Sequence, residues 1–106
     1  MPRAHRYVMA LPIRYRPVGD EPWVNGMTVN ISHSGVLFEG ERPMEPEVGV
    51  EMDLVLPREV GTGARVIARG TVVRAIAPAT PEARPRLAAT IDDYDFVRNG
   101  RMGESL

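Results

Sequence analysis

The chain has 106 residues, enough for one domain, and its 43% hydrophobic and 25% charged residues are typical of a globular protein. Its net charge of −1 excludes a bulk electrostatic attraction to nucleic acid or to an anionic membrane surface. It contains no cysteine, so disulfide bonds, thiolate catalysis and cysteine-ligated zinc are also excluded.

Charge is unevenly distributed along the chain. Residues 1–17 carry four arginines and no acid, whereas residues 39–53 carry six carboxylates and a single arginine. A basic segment on a nearly neutral protein predicts a local anion-binding site. The N-terminus is too polar for a signal peptide, and no apolar stretch approaches the length of a membrane span. We therefore expect a cytoplasmic protein without membrane insertion.

Strand signals dominate from the N-terminus onward. The first predicted strand covers residues 7–16, where Pro12 indicates an edge position or a bulge. Five more strands follow, and Gly70 in the longest of them indicates a bulge or a bend. The predicted strands after the first are 23–32, 36–38, 48–56, 64–76 and 86–96.

The clearest pattern lies in the fourth predicted strand. Five apolar residues recur there at a spacing of two, and Glu51 and Asp53 fall between them, as expected for a strand with one buried and one wet face. The apolar set is Val48, Val50, Met52, Leu54 and Leu56. No segment shows a helical period over twelve residues, so the sequence predicts an all-β, six-stranded antiparallel barrel.

A polar turn, Asn30-Ile31-Ser32-His33-Ser34-Gly35, ends the second predicted strand. Asn and Ser side chains in such a turn bond either the backbone or a ligand, and Gly permits a left-handed or a crowded backbone. By itself this pattern is more typical of an ordinary connection between strands. Its interpretation therefore depends on the segments around it.

Those segments follow an ordered pattern over residues 3–97. A basic segment and the stretch Leu11-Pro12-Ile13-Arg14-Tyr15 precede the turn, Gly35-Val36-Leu37-Phe38 completes it, and the stretches 46–57 and 70–74 come later. This order resembles the PilZ domain family of bacteria. The resemblance implies a six-stranded antiparallel barrel with a flexible basic N-terminal arm, in agreement with the strand count. It also implies binding of the second messenger cyclic di-GMP.

The resemblance implies a ligand site in two parts, an arginine pair written RxxxR in the arm and a [D/N]xSxxG turn on the barrel. Asn30, Ser32 and Gly35 match the turn. Arg3 and Arg6 are the corresponding arm residues, and three positions rather than four separate them. His33, inside the turn, is a possible further contact. We expect a flexible arm over residues 1–7, the barrel over 8–98 and a frayed tail over 99–106.

Two hypotheses about function follow. In the first, the arm arginines and the turn hold cyclic di-GMP, and output passes through an unidentified protein partner. In the second, the altered arginine spacing marks a degenerate PilZ-like domain that binds no nucleotide and acts as a protein-interaction module. We expect no enzyme, no cofactor, no metal site and no nucleic-acid polymer as partner, because no catalytic or metal-ligand constellation is present. The expected state is a monomer or a weak homodimer.

Overall fold

The computed structural model describes residues 5–19 and 21–97. Within these residues the secondary structure is entirely β, and no helix is long and apolar enough to cross a membrane. The strands are β1 Tyr7–Val8, β2 Pro12–Pro17, β3 Val24–Ser32, β4 Gly35–Gly40, β5 Gly49–Val55, β6 Arg65–Ile76, β7 Arg86–Thr90 and β8 Asp93–Phe96.

Six strands close a barrel in the order β3-β2-β5-β6-β7-β4, and β4 pairs back onto β3. Every pairing is antiparallel. The two remaining strands are short additions, β1 on β3 and β8 on β6. The predicted six-stranded antiparallel barrel is therefore confirmed, with two extra strands attached to it. Closure removes the free sheet edges that would otherwise promote aggregation.

The interior of the barrel follows the alternation seen in the sequence. Val50, Met52 and Leu54 of β5 are buried, and Tyr15 and Phe38 pack against each other with ring centroids 4.8 Å apart. Burial of apolar side chains stabilises the fold by roughly 25 cal/mol per Å² removed from water. The other buried apolar residues are Ile13, Ile31, Val36, Met44, Leu56, Val66, Ala68, Val72, Leu87, Ala89 and Ile91.

The predicted first strand over 7–16 is divided into β1 and β2. The buried hydroxyl of Thr28 accepts a hydrogen bond from the Leu11 amide at 2.8 Å and donates to the Met9 carbonyl at 2.5 Å. Between β1 and β2, the side chain of Thr28 on β3 therefore makes hydrogen bonds that backbone groups make elsewhere along the strands. Pro12, which lacks an N–H, begins β2 at this point. This irregularity in the strand agrees with the edge position or bulge that Pro12 indicates in the sequence.

The predicted last strand over 86–96 is also divided, into β7 and β8. The chain crosses β6 at Gly70, where a Cβ would lie 1.7 Å from the carbonyl oxygen of Thr90. Gly70 is thus required for a close backbone approach. The shift in register of β6 lies further along, between Val72 and Arg74. Gly70 lies where the partner of β6 changes from β8, which pairs as far as Arg69, to β7, which pairs from Val72 onward, and the bulge follows a few residues later.

Candidate functional site

The turn between β3 and β4 is held by the side chain of Ser32. Its hydroxyl accepts a hydrogen bond from the amide of Ser34 at 3.3 Å and lies 3.3 Å from the carbonyl oxygen of Gly35, to which it donates. Ser32 is 1% exposed and pairs with Gly35 across the turn. The hydroxyl in this structure therefore stabilises the shape of the turn.

A bulge in β3 determines which way Asn30 faces. Thr28 pairs with Phe38 and is buried, and the register then shifts so that Asn30 pairs with Leu37. Strict alternation from Thr28 would turn Asn30 toward the barrel interior, since side chains two apart share a face. The extra residue, Val29, reverses this parity. As a result Asn30 lies on the outer face and Ile31 is buried.

A second bulge has the same effect in β6. The buried residues Val66, Ala68 and Val72 define the inner face, and strict alternation would place Arg74 on it. The register shift after Val72 inserts Val73, so that Arg74 pairs with Ala88 on the outer face.

The two bulges bring Asn30 and Arg74 into one row across the outer face of the barrel. Cross-strand pairs run from Asn30 to Leu37, from Leu37 to Ala88, and from Ala88 to Arg74. Val8 of β1 continues the row beyond Asn30. Within this row, the apolar residues Leu37 and Ala88 lie between the amide of Asn30 and the guanidinium of Arg74.

Arg6 joins this row from the N-terminal arm. Its Nη1 donates a hydrogen bond to Oδ1 of Asn30 at 2.6 Å, between residues 24 positions apart in the chain. A Cβ on Gly35 would lie 3.6 Å from Nη2 of Arg6 and 3.2 Å from the carbonyl oxygen of Ala89. Gly35 has no positive φ, so the crowded backbone, and not a left-handed conformation, is what requires glycine here.

These residues enclose a cavity of about 370 Å³, lined by Arg6, Asn30, Leu37, Val73, Arg74 and Ala88. Its size is in the range of small-molecule sites, about 300–1,000 Å³. Its floor is apolar and its rim carries two guanidinium groups and an amide. Such a surface suits a ligand that combines flat rings with anionic groups.

The predicted site residues are partly brought together. Arg6, Asn30 and Gly35 lie in contact, and Ser32 supports the turn beneath them. His33 is exposed at the tip of the turn, and Arg3 lies outside the described residues. The site predicted from the sequence did not include Arg74, although the stretch 70–74 is part of the pattern that carries the resemblance, and it did not include the floor residues Leu37 and Ala88. Arg74 faces this cavity because of the β6 bulge, which depends on pairing with a strand distant in sequence.

Two larger cavities on the described part of the barrel can be compared with this one. One of about 480 Å³ lies beside Arg14, Asp53 and Arg65, whose charged groups already bind one another. The other, of about 410 Å³, is lined mainly by prolines and aliphatic side chains, with Glu45 as its charged group. The first cavity is also lined by Asn25, but neither contains an arginine that is free of an ion pair. The smaller cavity, which is lined by Arg6 and Arg74, is therefore the candidate site for an anionic ligand.

Solved structures similar to this barrel agree on the architecture. The structure of the Bacillus subtilis inhibitor of motility, MotI/DgrA, superposes with a TM-score of 0.69 at 12% identity over 97% of this chain and 47% of that one. The chain thus spans about half the length of that protein. The PilZ domain of CeSA, from a cellulose-synthesizing bacterium, superposes with a TM-score of 0.58 at 21% identity, covering 85% and 84% of the two chains. At these identities the likeness concerns the fold.

The PilZ domain family itself matches residues 2–93 of the sequence. The chain therefore belongs to the PilZ domain family, whose members are binding and adaptor domains that act as cyclic di-GMP receptors. The resemblance carried by the turn at Asn30–Gly35 and by the order of the strands is confirmed. Among curated proteins, no sequence matches this chain.

Proposed function

We propose that this protein is a cyclic di-GMP receptor that holds the ligand between the N-terminal arm and the turn from Asn30 to Gly35, and that signals through a protein partner. The observation that carries the proposal is the hydrogen bond from Arg6 to Asn30, which joins the arm to the turn at the rim of one cavity. One arginine of the arm and the turn therefore lie at the same cavity, and this supports the proposal.

The chemistry of these groups fits the ligand. Cyclic di-GMP carries two guanines and two phosphates. The Arg6 guanidinium can donate a bidentate pair of hydrogen bonds to guanine O6 and N7, or pair with a phosphate oxygen. The amide of Asn30 offers both a donor and an acceptor to a base edge. The absence of a side chain at Gly35 lets a base approach the backbone closely.

Ligand binding replaces the contact between Arg6 and Asn30. In this proposal both groups turn from each other to the ligand, and the arm closes over it, so that binding orders the arm. Ser32 maintains the shape of the turn, and its hydroxyl can bind the ligand once the arm residues above the turn have moved. Arg3 supplies a second guanidinium from the arm, and His33, exposed at the tip of the turn, is placed to stack on a base.

In this proposal the barrel works as an adaptor in the cytoplasm and carries out no catalysis of its own. Ligand binding orders the arm and changes the surface around β1, and a protein partner recognises that changed surface. The exposed side chain of Val8 on β1, beside Asn30, lies where the closing arm alters the surface.

Calorimetric titration of cyclic di-GMP into the purified chain tests the proposal, with GTP as the ligand control. We expect micromolar or tighter binding that Arg6→Ala and Asn30→Ala each weaken at least tenfold, since a hydrogen bond to a charged group contributes about 1.5–3 kcal/mol. Asn25→Ala is the matched control, because Asn25 lies exposed on the outer face of the same strand but away from the cavity. Wild-type protein that produces no heat at high ligand concentration contradicts the proposal.

A second candidate function is the degenerate domain that binds only protein. The three-residue spacing of the arm arginines favours it. The acidic segment 39–53 gives it less support, because four of its six carboxylates already pair with arginines of the same chain. The pairs are Glu39–Arg86, Glu41–Arg84, Glu51–Arg16 and Asp53 with both Arg14 and Arg65. Tight binding of cyclic di-GMP by the wild-type chain excludes this alternative.

A further inference from the structure

Arg74 faces the candidate site only because β6 is bulged. Without the bulge, Val73 would pair with Ala88, and Arg74 would pair with Leu87 and face the barrel interior. β3 carries a bulge with the same consequence for Asn30. Bulges occur frequently beside functional sites, where they re-aim a side chain. Two of them that direct polar side chains onto one row indicate that both residues serve the same site.

The guanidinium of Arg74 has no acidic partner among residues 5–19 and 21–97. Glu39, which lies on β4 two residues from Leu37, is bound by Arg86 at 2.8 Å. All five of the other arginines on the described strands do form ion pairs: Arg14, Arg16, Arg65, Arg69 and Arg86. A cation at a cavity rim that no carboxylate neutralises is available to an anionic ligand.

Arg74 lies across the cavity from Arg6. Three strand spacings separate Asn30 from Arg74, a distance of about 14 Å between backbones at about 4.8 Å per strand. Leu37 and Ala88 form the apolar floor between them. The cavity therefore provides two separate guanidinium groups with apolar side chains between them, and a cyclic dinucleotide has two phosphates on opposite sides of one ring.

We infer that Arg74 binds the phosphate of cyclic di-GMP that lies away from the arm, while Arg6 binds the part of the same ligand that lies at the turn. The inference rests on the proposed function and adds a residue to the site that the two-part motif does not include. Arg74 supplies this contact from the rigid barrel, so it acts before the arm closes. The floor of Leu37 and Ala88 supports the ring of the ligand between the two cations.

Calorimetry of Arg74→Ala, Arg74→Lys and Arg58→Ala at two salt concentrations tests the inference, with cyclic di-GMP as the probe. Arg58 is the matched control, since it is an exposed arginine without an ion pair in the described chain. It lies in the loop before β6, about 30 Å along that strand from Arg74. We expect Arg74→Ala to weaken binding about tenfold or more, Arg74→Lys to weaken it less because the charge remains, and Arg58→Ala to have no effect.

The salt dependence of the affinity distinguishes a phosphate contact from other roles of the Arg74 side chain. Added salt screens an exposed ion pair, so the affinity of Arg74→Ala should fall less with salt than that of the wild type. Equal affinity of Arg74→Ala and wild type overturns the inference and leaves the proposed function intact. A loss of affinity with unchanged salt dependence overturns the phosphate assignment. Wild-type protein without binding overturns the proposed function itself, and with it the assignment of Arg74.

Discussion

Arg65 binds Asp53 through two parallel hydrogen bonds, from Nε to Oδ1 at 2.9 Å and from Nη2 to Oδ2 at 2.8 Å. Arg14, on the other side of β5, donates to the same carboxylate from Nε at 3.0 Å. Asp53 is an outward-facing residue of β5 that is nevertheless only 6% exposed, because the two arginine side chains cover it. One carboxylate thus links β2, β5 and β6 on the outside of the barrel.

Replacement of Asp53 by Asn should destabilise the barrel at neutral pH by about 1–3 kcal/mol, the range for hydrogen bonds to a charged group. Hydrogen bonds from Arg65 outweigh the desolvation of the carboxylate and hold the pKa of Asp53 below its ordinary value. A lowered folded-state pKa contributes stability that is present above the unfolded pKa of about 3.9 and is lost as the pH falls through the folded value. Urea unfolding from pH 7 to pH 3 should therefore show the difference between wild type and Asp53→Asn shrinking toward acid.

The control for this measurement is Asp92→Asn. Asp92 is exposed and forms no ion pair within residues 5–19 and 21–97. Its replacement should leave the free energy of unfolding unchanged at each pH. A constant difference between wild type and Asp53→Asn from pH 7 to pH 3 contradicts the role given to the carboxylate charge.

The hydroxyl of Tyr15 should make the stability of the barrel sensitive to alkali. Tyr15 is 1% exposed, and its hydroxyl donates to the carbonyl of Arg42 and accepts from the amide of Arg42. Burial raises the pKa of Tyr15, and the hydrogen bond from the Arg42 backbone opposes this shift in part. A raised folded-state pKa contributes stability that is present below the unfolded pKa of about 10 and is lost as the pH rises through the folded value.

Tyr15→Phe should therefore lower the free energy of unfolding by about 1 kcal/mol at pH 7. It should also abolish the loss of stability that ionisation of Tyr15 causes at alkaline pH. Urea unfolding between pH 7 and pH 11 measures both effects. Tyr94→Phe is the control, since Tyr94 is half-buried on β8 and its hydroxyl has no hydrogen bond in the described structure. If Tyr15→Phe and wild type lose stability in parallel above pH 9, the buried hydroxyl is not the cause.

Gly70→Ala should be among the most damaging single substitutions in the barrel. The added Cβ would lie 1.7 Å from the Thr90 carbonyl oxygen, which is backbone and cannot rotate away. We expect a loss of about 3 kcal/mol or more, the upper range for overpacking. Gly49→Ala is the matched control, because its Cβ would approach closely only the side chain of Val18, at 3.1 Å, and would lie at an ordinary 4.0 Å from the carbonyl oxygen of Gly70. Chemical unfolding that finds the two variants equally stable contradicts the close crossing of β6.

Gly35→Ala should separate ligand binding from stability. The new Cβ would meet the Ala89 carbonyl oxygen at 3.2 Å and occupy space beside the Arg6 guanidinium. We expect a stability loss of about 1 kcal/mol and a loss of cyclic di-GMP affinity of about tenfold, because the added methyl group occupies the space through which a base would approach the backbone of the turn. Gly49→Ala should show a similar stability loss without a change in affinity. Unaltered affinity in Gly35→Ala would show that the arm does not close over Gly35.

The local parts of the fold follow from the sequence. Val50, Met52 and Leu54 alternate with Glu51 and Asp53, and the strand lies where that alternation predicts it, since the period of side chains in a strand depends only on the local backbone. The turn from Asn30 to Gly35 likewise carries its own signal in residue types suited to a tight connection. The count of six barrel strands followed from these patterns.

The orientation of the site residues was decided by the tertiary structure. Alternation alone directs Asn30 and Arg74 inward, and the extra residues Val29 and Val73 turn them outward. A bulge depends on how a strand pairs with a neighbour far away in the chain, so neither Val29 nor Val73 carries a local signal for it. The contact between Arg6 and Asn30, 24 positions apart, also forms only when β1 pairs with β3. The sequence therefore determined the strands and the turn, and only the register between strands determined which side chains share the cavity.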